Sequence, residues 1–543
     1  MQTITKILQQ KLLEAAVALF EECRTNPPAV RIEIPSDPKY GDYSTNLAMQ
    51  LAPVVKDGPM RIAAKLKEAI DALPAVDRIE IMPPGFINFF ISPAWFARQV
   101  GIIVGEGKEF GQSEVGNGSR VLLEFISANP TGPMTLANGR GGFAGDTLAN
   151  VMQMAGYKTW REFYVNDVGG QIEKLVESVI RRSFQLKGIK VDYPADLYQG
   201  EYVLEIAKKL HLERYKLKSA NELKQRIKGR VVNMMIADLQ RVAEKKLGIK
   251  YNRWFRESEL HELVLDEKVL AMLRQKDLIY EQDRATWFRT TQFGDDKDRV
   301  LVKSDGEKTY FLSDIALRLN RFHDRRFDRE ILFLGADHHG YQGRMQAAMS
   351  ALDYPGKLDI FIVQFVRLMK DGIEVKMSKR AGNYVAIEEL TDEVGLDAAR
   401  FFFLMHAAST HMDFDLGLAQ EKSEKNPVYY VQYAHARICS IVKKTKGLPT
   451  ARGKALDEPA ALGLIKQLLR LPELVEEVAM TYDVHKLPFY ATELATAFHD
   501  FYGKVRVIDN GSVDERRLAL VLATRQTLAT TLKLMGISAP EKM

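Results

Sequence analysis

The residues best suited to chemistry in this chain are Lys376-Met377-Ser378-Lys379-Arg380. Lys376 and Lys379 stand three apart in a loop after Asp371-Gly372, where two ammonium groups could meet a polyphosphate and Ser378 could add a hydrogen bond. Gly372 and Gly382 would let such a loop move. On charge alone the same residues read as a solvated basic turn, so their context has to decide. Other reactive patterns are sparse. His338 and His339 adjoin in a loop, but neighbouring histidines seldom share one ion, and no third and fourth ligand accompanies them. His261-Glu262 lacks the second histidine of a metalloprotease helix and reads as surface. The only cysteines, Cys23 and Cys439, exclude a disulfide scaffold and a cysteine-based zinc site, and they fit a reducing compartment.

These residues need a frame to hold them. A chain of 543 residues suggests three or four domains. Hydrophobic residues make up 46% and charged residues 27%, the balance of a soluble globular protein. A net charge of +5 is compatible with a nucleic-acid partner without establishing one. No apolar run is long enough for a membrane span, and Lys6, Lys11 and Glu14 interrupt anything resembling a signal peptide, so a cytoplasmic protein is expected.

Residues 1–105 read as a small α/β module. Ile4, Ile7, Leu8, Leu12, Ala15 and Leu19 form one helix face, Val30, Ile32 and Ile34 alternate as a strand, and helical spacing returns over 61–73. Strands follow at 78–82 and 86–91, then a helix over 94–104. A glycine-rich linker is expected at 106–119. Residues 121–126 are a short, almost continuous apolar run, as in a strand buried on both faces. A loop with two prolines, a helix over 139–155 and a strand over 160–165 complete a β-α-β unit. The expected fold is α/β: a doubly wound core over 120–396, carrying a mostly helical insertion at about 173–285. Runs at 300–302, 331–334 and 360–366 would supply the second half of its parallel sheet. A connecting segment over 397–424 leads to an all-α region over 425–543, clearest at 462–478, with a break at Pro472, and at 516–534.

With its context supplied, the lysine pentapeptide matches the second ATP-binding motif of class I aminoacyl-tRNA synthetases, and the chain resembles the arginyl-tRNA synthetase family within that class. The resemblance is carried by residues 124–130 (EFISANP), 309–316 (TYFLSDIA), 335–341 (GADHHGY), 426–437 (NPVYYVQYAHAR) and 536–543 (GISAPEKM), so it spans essentially the whole chain. The family's first ATP motif, about His-x-Gly-His, falls after the first core strand and its proline-rich loop, at a helix N-terminus that points N–H groups at an anion. Here Thr135 and Asn138 stand where the two histidines are usual, and Ala137 replaces the glycine.

The resemblance implies a Rossmann-type catalytic core, an N-terminal domain on the tRNA elbow and a C-terminal anticodon-binding domain. It implies activation of L-arginine with ATP and Mg2+, without zinc, to arginyl-adenylate and pyrophosphate, and transfer to the 3' end of tRNA(Arg) by a monomer. Arginine would meet Glu124, Ser127, Asn129, Tyr310 and Asp314, with Asp314 on the guanidinium. ATP would meet Thr135, Asn138, Gly139, Gly335, Asp337, His338, Met377, Ser378 and Lys379, with Thr135, Asn138, Lys376 and Lys379 as the catalytic set. tRNA would meet Asn88, Tyr430, Tyr433 and Met543. Plainer readings stand beside these: Glu124 as an internal ion-pair member, Asp314 as a helix cap, the tyrosines as core packing, Asp146 as serving its own helix. The altered first motif leaves open a catalytically silent paralogue that binds tRNA without charging it. A cysteinyl or methionyl enzyme of the same class would bring zinc-ligating cysteines that this chain lacks.

Overall fold

In the computed structural model, residues 3–70, 73–211, 220–336, 340–375, 385–445 and 456–543 are described. The first ninety residues close an antiparallel sheet of β1 (Tyr43–Thr45), β2 (Val76–Met82) and β3 (Phe86–Ile91), in the order β1-β3-β2. Helices Leu47–Val55 and Pro59–Ile70 pack on it, and the helix Ile4–Leu19, with Ile4, Leu8, Leu12 and Ala15 buried, packs beside Pro59–Ile70. The alternating segment at 30–34 makes only a single bridge, Glu33 to Ser44, where a strand is expected from the pattern.

The core sheet is parallel throughout and contains β4 (Arg120–Glu124), β5 (Lys158–Val165), β6 (Arg253–Arg256), β10 (Arg329–Gly335) and β11 (Leu358–Val363). Its order is β11-β10-β4-β5-β6. The chain winds outward from β4 to β6, then returns to the other side of β4 at β10. The carboxyl ends of β4 and β10 therefore flank a topological switch point, the place where open α/β sheets bind ligands. Both faces are covered. Ile331 and Phe333 enter one apolar core while Leu332 between them enters the other, which is why these strands read as unbroken apolar runs.

Two differences from the sequence-based expectation concern this sheet. β6 lies inside the segment expected as insertion; helices Gly170–Leu186, Glu201–Leu210 and Ala220–Arg241 precede it. The run at 300–302 belongs to β9 (Arg299–Val302), which joins β7 (Ile279–Gln282) and β8 (Ala285–Phe288) in a separate antiparallel sheet. A three-residue apolar run carries no information about its partner.

The helix Leu136–Met154, here the motif helix, follows β4 across the proline-rich loop. Gly139, Gly142 and Gly145 sit where it touches its neighbours: a Cβ at Gly142 would lie 2.7 Å from Ile126, one at Gly145 2.4 Å from the Phe125 ring, and one at Gly139 2.5 Å from Ile387. Each helical glycine costs about 0.5–1 kcal/mol relative to alanine, and here that cost permits close approach to the strand end.

The C-terminal region is helical: Pro427–Lys443, Pro459–Leu469, Leu471–Thr481, Lys486–Lys504 and Glu515–Leu534, with Pro472 accommodated in the first turn of its helix. One apolar core runs from the first helix through the motif helix to the last; a second lies across the sheet. Among the described residues, no helix is long and apolar enough to cross a membrane.

Gly145→Ala is expected to destabilise the fold by about 1–3 kcal/mol through overpacking against Phe125, seen as a lower thermal unfolding midpoint, whereas Gly170→Ala, with open space at its Cβ, leaves the midpoint within a degree or two.

Candidate active site

At the carboxyl end of β4 the backbone turns sharply. Ile126 and Ser127 have φ of 68° and 39°, and the Ser127 N–H donates to the Phe125 carbonyl at 3.0 Å, closing a γ-turn. A β-branched residue in this region costs roughly 1–3 kcal/mol, and such strain clusters at functional sites. The turn commits Ser127: its Oγ accepts from the Tyr164 N–H at 3.1 Å. Asn129 stays exposed, with Nδ2 donating to Gln171 Oε1 at 3.0 Å.

Across the crevice lies the helix Tyr310–Leu319, the pocket helix. Thr309 caps it, its Oγ1 accepting from the Leu312 N–H, so Asp314 is no cap; it sits a turn inside. The same helix and the π-turn Asn320–Asp324 after it drive guanidinium groups into the sheet. Arg321, fully buried, meets Glu124 Oε2 at 2.6 Å, Glu162 Oε1 at 2.8 Å and Glu330. Glu124 and Glu162 are directly paired across β4 and β5, where like charges repel; Arg321 lies between them. Arg325 takes the other oxygen of Glu162. Glu124 is thus an internal ion-pair member, as its apolar strand allows. Breaking such a buried set from one side typically costs about 3–5 kcal/mol.

Asp314 is held differently. Its side chain keeps 28% of its surface open, and Arg318 reaches it only at 3.5 Å. Glu257, 4% exposed, starts the short helix Glu257–Glu262, which packs on the pocket helix and lies within reach of the Asp314 charge. Burial first, then the Asp314 charge, pushes the Glu257 carboxyl up to about 7. Asp314 is also raised, mainly by burial, against the pull of Arg318. Tyr164 favours the ionised form of Glu257 and Tyr341 that of Asp314, each partly offsetting the burial. Asp167 anchors the Glu257 helix by accepting from the Ser258 N–H at 2.9 Å and Oγ–H at 2.8 Å. Tyr310 is 70% exposed at the start of the pocket helix, and its hydroxyl would lie 3.4 Å from a Cβ at Gly169. Sequence reasoning missed Glu257, Asp167, Tyr164 and Tyr341. The only available signal was that Glu257 and Asp167, like Glu124, lie at a core strand's carboxyl end. Deprotonated, the pair is a site for a planar cation with many donors.

The other end of the crevice is the N-terminus of the motif helix. Thr135 and Asn138 form a capping box: Thr135 Oγ1 accepts from the Asn138 N–H, and Asn138 Oδ1 accepts from the Thr135 N–H at 2.9 Å and from its hydroxyl at 2.9 Å. Both side chains thereby serve the helix. The N–H groups of Leu136 and Ala137 and the Asn138 Nδ2 remain as donors uncommitted among the described residues. Gly139 is buried under Ile387, so it serves packing there. Gly335 ends β10 beside this crevice.

Lys376, Met377, Ser378 and Lys379 lie outside the described residues, as do Asp337 and His338. The chain that emerges from that lysine segment returns to the first motif: Ala386 bridges Thr135, and the Ile387 N–H donates to the Met134 carbonyl at 2.9 Å. Before it, Asp371 and Gly372, with φ of 52° and 78°, form the tight turn of a hairpin between β12 (Val366–Lys370) and β13 (Ile373–Glu374). Gly372 is therefore a turn residue where a hinge is expected. Arg140 and Asp146 face away from this end. Arg140 binds the Gln364 and Ala407 carbonyls, and Asp146 binds Arg161 and Arg400, so Asp146 ties its helix to other segments.

The residues expected to contact RNA divide. Asn88 is 2% exposed, with Oδ1 accepting from Ser44 Oγ at 2.6 Å; it stabilises the N-terminal sheet, and Phe86 is the exposed residue of that strand. On the helix Pro427–Lys443, Tyr429 and Tyr433 stack with rings 7° from parallel. With Tyr430, Arg437, His499 and Glu424 they line an open groove of about 620 Å³. Tyr433 is partly exposed, Tyr430 half-buried against His499. The C-terminal tail packs along the same helix through Gln432–Ser538 and His435–Pro540, leaving Met543 exposed.

Comparison with known proteins adds independent findings. Three family patterns match: an arginyl tRNA synthetase N-terminal domain over residues 2–91, a class I tRNA synthetase (R) catalytic domain over 99–403 and a DALR anticodon binding domain over 431–543. An arginine–tRNA ligase of Listeria monocytogenes is 44% identical over 97% of this chain and 96% of its own. Another, from Bacillus subtilis, is 43% identical over 99% and 98%. The arginyl-tRNA synthetase of Thermus thermophilus shares the fold with a TM-score of 0.78 at 22% identity, over 99% of this chain and 100% of that one.

Thr135→Val, which removes the cap acceptor and keeps the shape, is expected to cost about 1 kcal/mol, read as a lower thermal midpoint; Thr135→Ser keeps the wild-type value.

Proposed function

The chain belongs to the arginyl-tRNA synthetase family, and from that premise we propose how its residues divide the work. The reaction is arginine–tRNA ligation: arginine and ATP give arginyl-adenylate and pyrophosphate, and the arginyl group passes to the 3' end of tRNA(Arg). Nothing in the pocket or among the relatives favours a silent paralogue.

Asp314 and Glu257 take the substrate guanidinium between them, each offering a carboxylate to its fork of donors. Tyr164 and Tyr341 hold the two carboxyl groups apart and oriented; Tyr310 closes the mouth over the aliphatic stem. Glu124 contributes through Arg321, fixing the floor and adding negative charge without touching substrate. Asn129, exposed at the strand end, faces the α-amino end. A pocket of this kind rejects uncharged analogues by about 10⁴ or more, because its buried polar groups would be left unpaired.

The arginine carboxylate then attacks the α-phosphorus of ATP and pyrophosphate leaves, so positioning and charge stabilisation carry the catalysis. The motif-helix N-terminus fits a phosphate: it has uncommitted N–H groups, a positive dipole end and Asn138 Nδ2 beside them. The capping box supports a division of labour in which Thr135 shapes the helix end and the backbone donates. Lys376 and Lys379 supply positive charge and Ser378 a hydrogen bond, with Met377, Gly335, Asp337 and His338 around the nucleotide. Mg2+ brought with ATP neutralises phosphate charge. Tyr430 and Tyr433 present aromatic faces on which splayed anticodon bases can stack, and Met543 ends the tail beside their helix.

The observation that carries this reading is the partly open Asp314 beside the helix of the buried Glu257, which feels its charge. Arginine-dependent ATP–pyrophosphate exchange and charging of tRNA with labelled arginine test it; absence of both at saturating ATP and tRNA would overturn it. Free Glu257 takes up its proton as pH falls through about 7, whereas guanidinium binding needs the ionised form. The KM for arginine should therefore rise by up to about tenfold per pH unit below 7 and level off above it. Glu257→Gln should raise KM roughly 10- to 150-fold at pH 8, the value of a hydrogen bond to a charged group, and flatten that rise between pH 6 and 7.

A further inference from the structure

The motif helix is braced far from its reactive end. Arg400, on the helix Leu396–Leu404, is 1% exposed and joins three distant segments. Its Nη2 donates to Asp146 Oδ2 of the motif helix at 2.9 Å and to the Leu247 carbonyl, at the end of the inserted helices, at 2.8 Å. Its Nη1 donates to the Met535 carbonyl, the C-cap of the last helix, at 2.9 Å. The Phe143 ring of the motif helix lies 5.0 Å from the guanidinium. Asn150, one turn beyond Asp146, donates to the Leu534 carbonyl at 3.0 Å. Gly536 makes room: it adopts φ of 68°, and a Cβ there would lie 2.1 Å from Arg400 Nη1. One turn earlier on the same helix, Asp397 accepts from the Ser538 N–H at 3.1 Å and from Gln432 Nε2 at 2.8 Å, tying in the tail and the tyrosine-bearing helix.

We propose that Arg400 is a positioning residue of the reaction: it sets where the motif helix sits against the C-terminal helices, and so where that helix aims its N-terminal donors. Asp146 is eleven residues from Thr135, about 16 Å along a continuous helix at 1.5 Å per residue. A rigid helix transmits a shift at one end to the other, and a displacement of about 1 Å at a reacting centre can cost on the order of 10²-fold in rate. Arg400 touches neither substrate nor nucleotide. A lysine at this position keeps one charge but cannot meet the carboxylate and both carbonyls at once. The inference rests on the reading that the motif-helix N-terminus faces the phosphates.

The test uses the full-length enzyme with Arg400→Lys and, acting from the other side of the same contact, Gly536→Ala. Active sites are counted by the burst of adenylate, so that misfolded protein does not enter kcat. Expected are a fall of tenfold or more in kcat per active site in both variants, with the KM for arginine within threefold of wild type. Asp146→Asn added to Arg400→Lys should lower kcat no further than the worse single variant. A loss accounted for by fewer active sites, an arginine KM that rises in step, or additive losses in the double variant would reduce Arg400 to a stability role and overturn the proposal. Failure of the wild-type enzyme to form arginyl-adenylate would instead overturn the reading of the reaction.

Discussion

A buried carboxyl, Glu257, within electrostatic reach of a partly open one, Asp314, is the constraint around which this site is organised. The Asp314 charge raises the proton affinity of Glu257, and burial raises both. Such a pair is costly in the free protein and is relieved by a cation that meets both. The fold has to keep the pair from collapsing onto internal bases. It does so by giving its own guanidinium groups other partners: Arg321 and Arg325 are taken by Glu124, Glu162 and Glu330, and Arg318 reaches Asp314 only loosely. On the proposed reading, the substrate arginine would bind beside three arginines of the protein's own.

That arrangement depends on geometry set by the sheet. Glu124 and Glu162 are neighbours because β4 and β5 pair in register, and Glu330 follows from the return of β10 to the far side of β4. The strained turn at Ile126 and Ser127 then redirects the chain into the crevice, and the glycines of the motif helix let it lie against that turn. Strain and helix glycines are both unfavourable locally. They are tolerated because continuous cores on both faces of the sheet hold the surrounding elements in place.

The altered first motif acquires a physical sense in the same frame. Histidines at 135 and 138 would offer cationic donors; threonine and asparagine instead close a reciprocal cap and leave the helix backbone facing the crevice. The segment at Ala386 and Ile387 pairs with the backbone of Met134 and Thr135, so the cap is tied to the chain that follows the lysine motif in sequence whatever its side chains.

Family, reaction and the alternation of helix and strand were legible in the sequence because they rest on local patterns: apolar runs such as 121–126, helix periodicity at Ile4–Leu19 and short motifs such as that at 376–380. The roles of individual charged residues were not. Glu124, Glu257 and Asp314 are each one acidic residue near an apolar stretch, and nothing in their neighbours says that the first meets Arg321 while the charge of the third reaches the second. Ser127 and Asn88 look equally available until Tyr164 and Ser44 are found bonded to them. The partner of the 300–302 run and the junction at Arg400 were likewise decided only by tertiary structure. Periodicity is a property of a few adjacent residues, whereas most of these ion pairs and hydrogen bonds join residues tens to hundreds of positions apart, which only the fold brings into contact.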